Sequence, residues 1–166
     1  MATTYEKIAT TTLGSAASSI TFSTISAAYT DLRLVFVGLE DAAAFDYVNL
    51  RFNSDTGSNY SLTYLYGSGS AASSGRFTNA AQLRVAQYGM STTIPLLVEA
   101  DIFSYAGSTY KTILSKASED FNGSGAVSTQ VGLWRSTSAI TSITILTLAN
   151  NFAANSSATL YGILKA

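Results

Sequence analysis

A turn cluster interrupts this chain about every dozen residues, a spacing that limits its possible folds more than any other feature of the sequence. Between clusters of Gly, Ser, Asn and Asp lie short segments rich in Val, Ile, Thr, Tyr and Phe, which read as strands. We place them at Tyr5–Thr12, Ser18–Phe22, Asp31–Leu39, Asp46–Asn53, Ser61–Gly67, Gln82–Ala86, Pro95–Tyr105, Thr109–Ser118, Ala126–Arg135, Ile140–Leu148 and Ala158–Leu164. The rhythm predicts an all-β antiparallel sandwich, a jelly roll of about eight to eleven strands with little helix. We find no linker and no fixed-period repeat, so one domain spans 1–166.

Alternation supports the strands. Val48, Leu50 and Phe52 point one way, and Tyr47, Asn49 and Arg51 the other. Val127, Thr129, Val131 and Leu133 share a face opposite Ser128, Gln130 and Trp134. Ile143 and Ile145 oppose Ser142 and Thr144. Leu32–Leu39 is apolar on both faces except at Arg33, which predicts a central strand covered on both sides. Helix signals are poor: Ser26–Tyr29 and Ala42–Ala44 are worth one turn each, and Asn79–Arg84 is the best short-helix candidate. Asp120–Gly125 carries Asn122-Gly123, a hairpin signal. Ser68–Gly75 reads as a flexible loop, and Asn53–Asn59 as a long polar turn.

Composition decides the chemistry. There is no His and no Cys, which excludes a Ser-His-Asp triad, a thiol nucleophile, imidazole or thiolate metal sites and disulfides. Net charge is −1, leaving no electrostatic footprint for nucleic acid or an anionic membrane. Only 11% of residues are charged, against about 25% in an ordinary domain. Ser and Thr supply about a quarter of the chain, and hydrophobic residues 47%. So weakly charged a surface predicts an oligomer or assembly in which neighbours cover much of it. The N-terminus lacks a signal-peptide pattern, and runs such as Leu34–Val37 are too short to span a membrane. The expectation is synthesis in the cytosol.

Four groups are candidates for function. Glu99 and Asp101 would share a strand face about 6–7 Å apart. Paired carboxylates can hydrolyse glycosides, but these flank no identifiable substrate, and Lys111 or Lys116 on the next strand could pair with them. Asn53–Asn59 alternates oxygen ligands loosely like a calcium loop, although the EF-hand pattern fails at Ser58 and Tyr64. Tyr60, Tyr64 and Tyr66 form a stripe suited to packing, a subunit contact or a sugar platform. Trp134 reads as a core or interface anchor, with Arg135 able to stack on it or bind a carboxylate. No metal and no cofactor are expected.

The chain also resembles a family of small β-sandwich virion proteins of tailed bacteriophages. The resemblance rests on Tyr5–Ser15 with Ile20-Thr21-Phe22, on Tyr29–Leu32 with Leu50–Asn53 and Gly57–Tyr60, and most specifically on Gly132–Ser136, Ala139–Ile143, Asn151–Ala153 and Leu160–Ile163. It implies a jelly roll that often forms trimers, sits in the virion as a capsid decoration (cement) protein or a tail-fibre or tip module, and carries no transferable site residues. A decoration protein would bind the major capsid protein or other virion proteins, with an N-terminal arm within 1–19 as a further contact. A fibre or tip module would read a host surface glycan. Without a heptad shaft, decoration is the first expectation, receptor or carbohydrate binding the alternative, and enzymatic activity the least favoured.

Overall fold

The computed structural model describes residues 5–43 and 45–164, in two antiparallel sheets. Its strands are β1 (Tyr5–Thr12), β2 (Ser19–Phe22), β3 (Asp31–Gly38), β4 (Asn49–Phe52), β5 (Tyr60–Gly67), β6 (Ala72–Ala80), β7 (Leu83–Arg84), β8 (Leu96–Phe103), β9 (Lys111–Asp120), β10 (Gly125–Trp134), β11 (Ile143–Leu146) and β12 (Ser157–Ile163). The larger sheet runs β1-β12-β3-β8-β9-β10-β5-β6 and the smaller β2-β11-β4-β7.

The pairing is that of a jelly roll. One long antiparallel ribbon pairs β1 with β12, β2 with β11, β3 with β8 and β4 with β7. Its winding sets β12 beside β3 and β11 beside β4. Two hairpins are inserted into that frame. β5–β6 interrupts the ribbon between β4 and β7, and β9–β10 interrupts it between β8 and β11. Both extend the larger sheet beyond β8.

The core lies between the sheets. Leu32, Leu34 and Phe36 of β3, Leu50 and Phe52 of β4, and Ile143 and Ile145 of β11 are buried there. Phe36 packs on Phe152 at 4.9 Å between ring centroids, and Phe52 on Trp134 at 5.5 Å. The period-two expectation holds for β4 and β11.

Several expectations are corrected. Ser68–Gly75 is not one flexible loop. A short turn closed by Ser68 N–H to the Ala71 carbonyl leads into β6, an edge strand. Almost all of β6 is exposed, so it carries no apolar alternation, and its ladder with β5 and the Tyr64 ring over Gly75 hold it. Asn79–Arg84 is no helix but the end of β6, a turn and β7. β4 and β11 are shorter than expected because flanking backbone is bound by side chains. Asp46 takes the amides of Leu148, Ala149 and Asn150, and Asn53 takes those of Thr141 and Ser142. The described residues form twelve strands rather than eight to eleven. Of the segment 1–19 expected to supply an arm, Tyr5–Thr12 is the edge strand β1, and 1–4 lie outside the described residues. The turn expected at Ala42–Ala44 includes Ala44, which is also outside them.

β3 is central, yet only its inner face is covered. Val37 on the outer face is 38% exposed. β9 and β10 also run against simple patterning. Ser115, Glu119, Ser128 and Gln130 point into the core, while Leu114, Val127 and Val131 point out. No helix among the described residues is long and apolar enough to cross a membrane.

Candidate functional site

Loops at one end of the sandwich meet around an aromatic-lined cavity of about 200 Å³. It is bounded by Ala43 and Phe45 between β3 and β4, by Tyr88 and Met90 to Thr92 between β7 and β8, and by the β9–β10 hairpin tip. Its aromatic walls are Phe45, Tyr88 and Phe121, with Met90 beside them and Ser91, Thr92 and Ser124 as hydroxyl residues. Tyr88 is the hub. It meets Phe45 edge-on at 6.1 Å, Phe121 at 6.2 Å and Tyr66 in a near-parallel stack at 6.4 Å.

Each wall is held from the sequence upward. Asp46, beside Phe45, is nearly buried. Burial alone would raise its pKa, but four backbone amides outweigh that and hold it below the usual carboxylate range. Three of them come from residues 148–150, so the Phe45 loop is tied to the loop after β11. Glu40 Oε1 accepts from the Asp46 amide and the Asn150 side chain, tightening the same knot. Met90 N–H donates to the Asp46 carbonyl. Gly89 lets the two loops touch, since a Cβ there would lie 2.8 Å from the Phe45 Cα. Phe45 is left 66% exposed with φ 55°, in the left-handed region. Phe121 begins the hairpin tip, where Asn122 and Gly123 take positive φ as the Asn-Gly signal requires.

A groove of about 610 Å³ opens beside this end, on the outer face of the larger sheet. Leu65, Leu97 and Val127 supply its apolar walls, with Glu99, Lys116 and Thr129 along its floor. A third depression, at the β5–β6 and β9–β10 tips, shares Leu97 and Val127 with the groove and Ser124 with the cavity.

The structure divides the expected site residues. Tyr60 and Trp134 are core, not platform: they are 0% and 2% exposed and stack on one another at 6.4 Å. Burial raises the Tyr60 pKa to about 12. Tyr64 stacks on Phe77 on the half-buried inner face of β5. Arg135 is exposed and donates to the Ser58 carbonyl and Asn79 Oδ1 instead of stacking on Trp134. Tyr66 alone of this group reaches the cavity wall, through Tyr88. Phe45, Tyr88 and Phe121 went unrecognised in the sequence. Their signal is an aromatic set among turn residues, where no core asks for one.

The remaining candidates are accounted for by their partners. Asp101 is bound by Arg33 through two hydrogen bonds of 2.6 and 2.8 Å, which raise the guanidinium pKa. Glu99 is the exception: it stands beside Lys116 across the β8–β9 ladder without an ion pair among the described residues. Lys111 is not on that face: it is buried, donating to the Gly107 and Thr109 carbonyls, and burial lowers its pKa. In Asn53–Asn59, Asp55 accepts from Trp134 Nε1, Asn59 Nδ2 and the Gly57 amide. Burial raises its pKa, but these donors outweigh it and hold the carboxyl low. Donors on both its oxygens suit a turn better than a cation. Among the described residues no three acidic side chains gather as a metal site.

No protein-family model matches the chain, and no curated protein does. Among solved structures, the crystal structure of the Caenorhabditis elegans galectin LEC-6 is similar at 15% identity and a TM-score of 0.39, over 91% of this chain and 94% of that one. The strand pairing described above, rather than this distant likeness, identifies the chain as an all-β jelly-roll sandwich with two inserted hairpins.

Proposed function

We propose that this protein is a non-enzymatic binding module whose loop-end cavity takes a saccharide. Phe45 carries the reading. Both its exposure and its left-handed backbone disfavour the conformation, and the Asp46 knot holds it at the cavity lip regardless. A flat ring beside hydroxyl residues suits a sugar, whose C–H face packs on the ring while its hydroxyls reach Thr92 and Ser124. The volume equals about six or seven waters, which is room for one ring rather than a long chain. Covering about 60 Å² of aromatic face is worth roughly 1.5 kcal/mol, about tenfold in affinity.

A glycan array with the wild-type chain, Phe45→Ala and Tyr88→Ala tests this. Binding by the wild type and a loss of about tenfold or more in each variant, with unchanged circular dichroism, is the expected result. A wild-type chain that binds no saccharide overturns it.

On a phage particle such a module fits a tail fibre or tip. The second reading, a decoration protein seated on the shell, is favoured by a different observation: only 11% of the residues are charged, which suits a surface covered by neighbours in an assembly. Immunogold labelling of virions separates them. Label at the tail supports receptor binding, label over the head supports decoration, and no label removes the virion role.

A further inference from the structure

We propose that the outer face of the larger sheet joins two copies of this chain across a two-fold axis. The inference is independent of the saccharide reading, because Phe45, Tyr88 and Phe121 lie on loops at the end of the sheet.

Composition of the face is the first ground. Val37, Leu65, Leu97, Leu114, Val127 and Val131 all point outward, between 37% and 63% exposed. The pairing register makes them neighbours. One row across the sheet reads Val37, Leu97, Ser118, Val127, Gly67; another reads Arg33, Asp101, Leu114, Val131, Thr63. Six exposed apolar side chains on five adjacent strands, with charged residues among them, mark an interaction site on a soluble domain.

Area is the second. Eight strands about 4.8 Å apart, each contributing about seven residues at about 3.3 Å, make a face of about 900 Å². A stable complex buries about 800 Å² per partner, so this face suffices for one copy. Sheets that pack face to face keep their strands within about 30°.

Charge selects the second copy over an unrelated partner. Between these two rows lies Val35, Glu99, Lys116, Thr129, Leu65. Arg33 and Asp101 already form an ion pair with each other, whereas Glu99 and Lys116 stand side by side on β8 and β9 without one among the described residues. Consider a two-fold axis in the interface plane, parallel to the strands and between β8 and β9. It sets Glu99 over the partner subunit's Lys116, and Lys116 over the partner subunit's Glu99. It also brings Val127 against the partner subunit's Val37. An isologous contact requires this self-complementarity.

Sedimentation equilibrium of the full chain tests the geometry. The wild type should be a dimer at micromolar concentration. Glu99→Lys and Lys116→Glu should each weaken dimerisation tenfold or more, and the double exchange should restore it. Both positions are exposed, so circular dichroism should match the wild type in all three variants. A monomeric wild type, a trimer, or a dimer indifferent to the single exchanges would overturn the proposal.

Discussion

Glu119 sits on the inner face of β9, 5% exposed, with neither carboxylate oxygen hydrogen-bonded among the described residues. Burial raises its pKa from 4.5 to about 7, and the nearby Ser91 amide, outside hydrogen-bond geometry, offsets only part of that. Between those two values the folded chain holds a proton that the unfolded chain releases. The stability this group allows is complete below pH 4.5 and is lost as pH rises to about 7. Above that, the buried charge costs about 3 kcal/mol. Denaturant unfolding should therefore find Glu119→Gln more stable than the wild type at pH 8 and little different at pH 4. Equal stabilities at both would mean the carboxylate is solvated. Asp55 is the opposite case, a carboxylate fully used. Asp55→Ala strips the partner from the Trp134 indole, which should cost about 1–3 kcal/mol and shift tryptophan emission.

At the scale of elements, the β9–β10 hairpin joins the fold to the site, since its tip supplies Phe121 to the cavity. The hairpin closes through Gly125, whose φ is 137° and where a Cβ would lie 2.4 Å from the Glu119 carbonyl oxygen. Gly125→Ala should lower stability by about 1–3 kcal/mol in thermal unfolding and weaken saccharide binding with it. A variant as stable as the wild type would show that the tip can relax. This hairpin was legible in advance because Asn122-Gly123 is a local signal. So were β1, β3, β5 and β10, whose residues alternate or run apolar. β6 was not, because an edge strand exposed on both faces has no period to read. The cavity was illegible for another reason. Phe45, Tyr88 and Phe121 come from three separate loops, and only the jelly-roll winding brings them to one end.

For the whole molecule, the outer face of the larger sheet is an apolar surface rather than part of the core. Val127 and Val131 are 63% and 47% exposed in the single chain, so replacing both with Thr should change the unfolding stability of the monomer, measured below the concentration at which it dimerises, by no more than about 0.5 kcal/mol each. A loss of several kcal/mol on calorimetry would mean that their burial supports the fold itself. The low charge fits such a face, and the sequence carried that much. Local pattern and composition were enough for the class of the fold, the hairpin at Asn122-Gly123 and the exclusion of His and Cys chemistry. Which side of β9 and β10 meets the second sheet was set by the packing of the two sheets. Alternation states that two faces of a strand differ. It does not state which one is buried, and here Ser128 and Gln130 went inside while Val127 and Val131 stayed out.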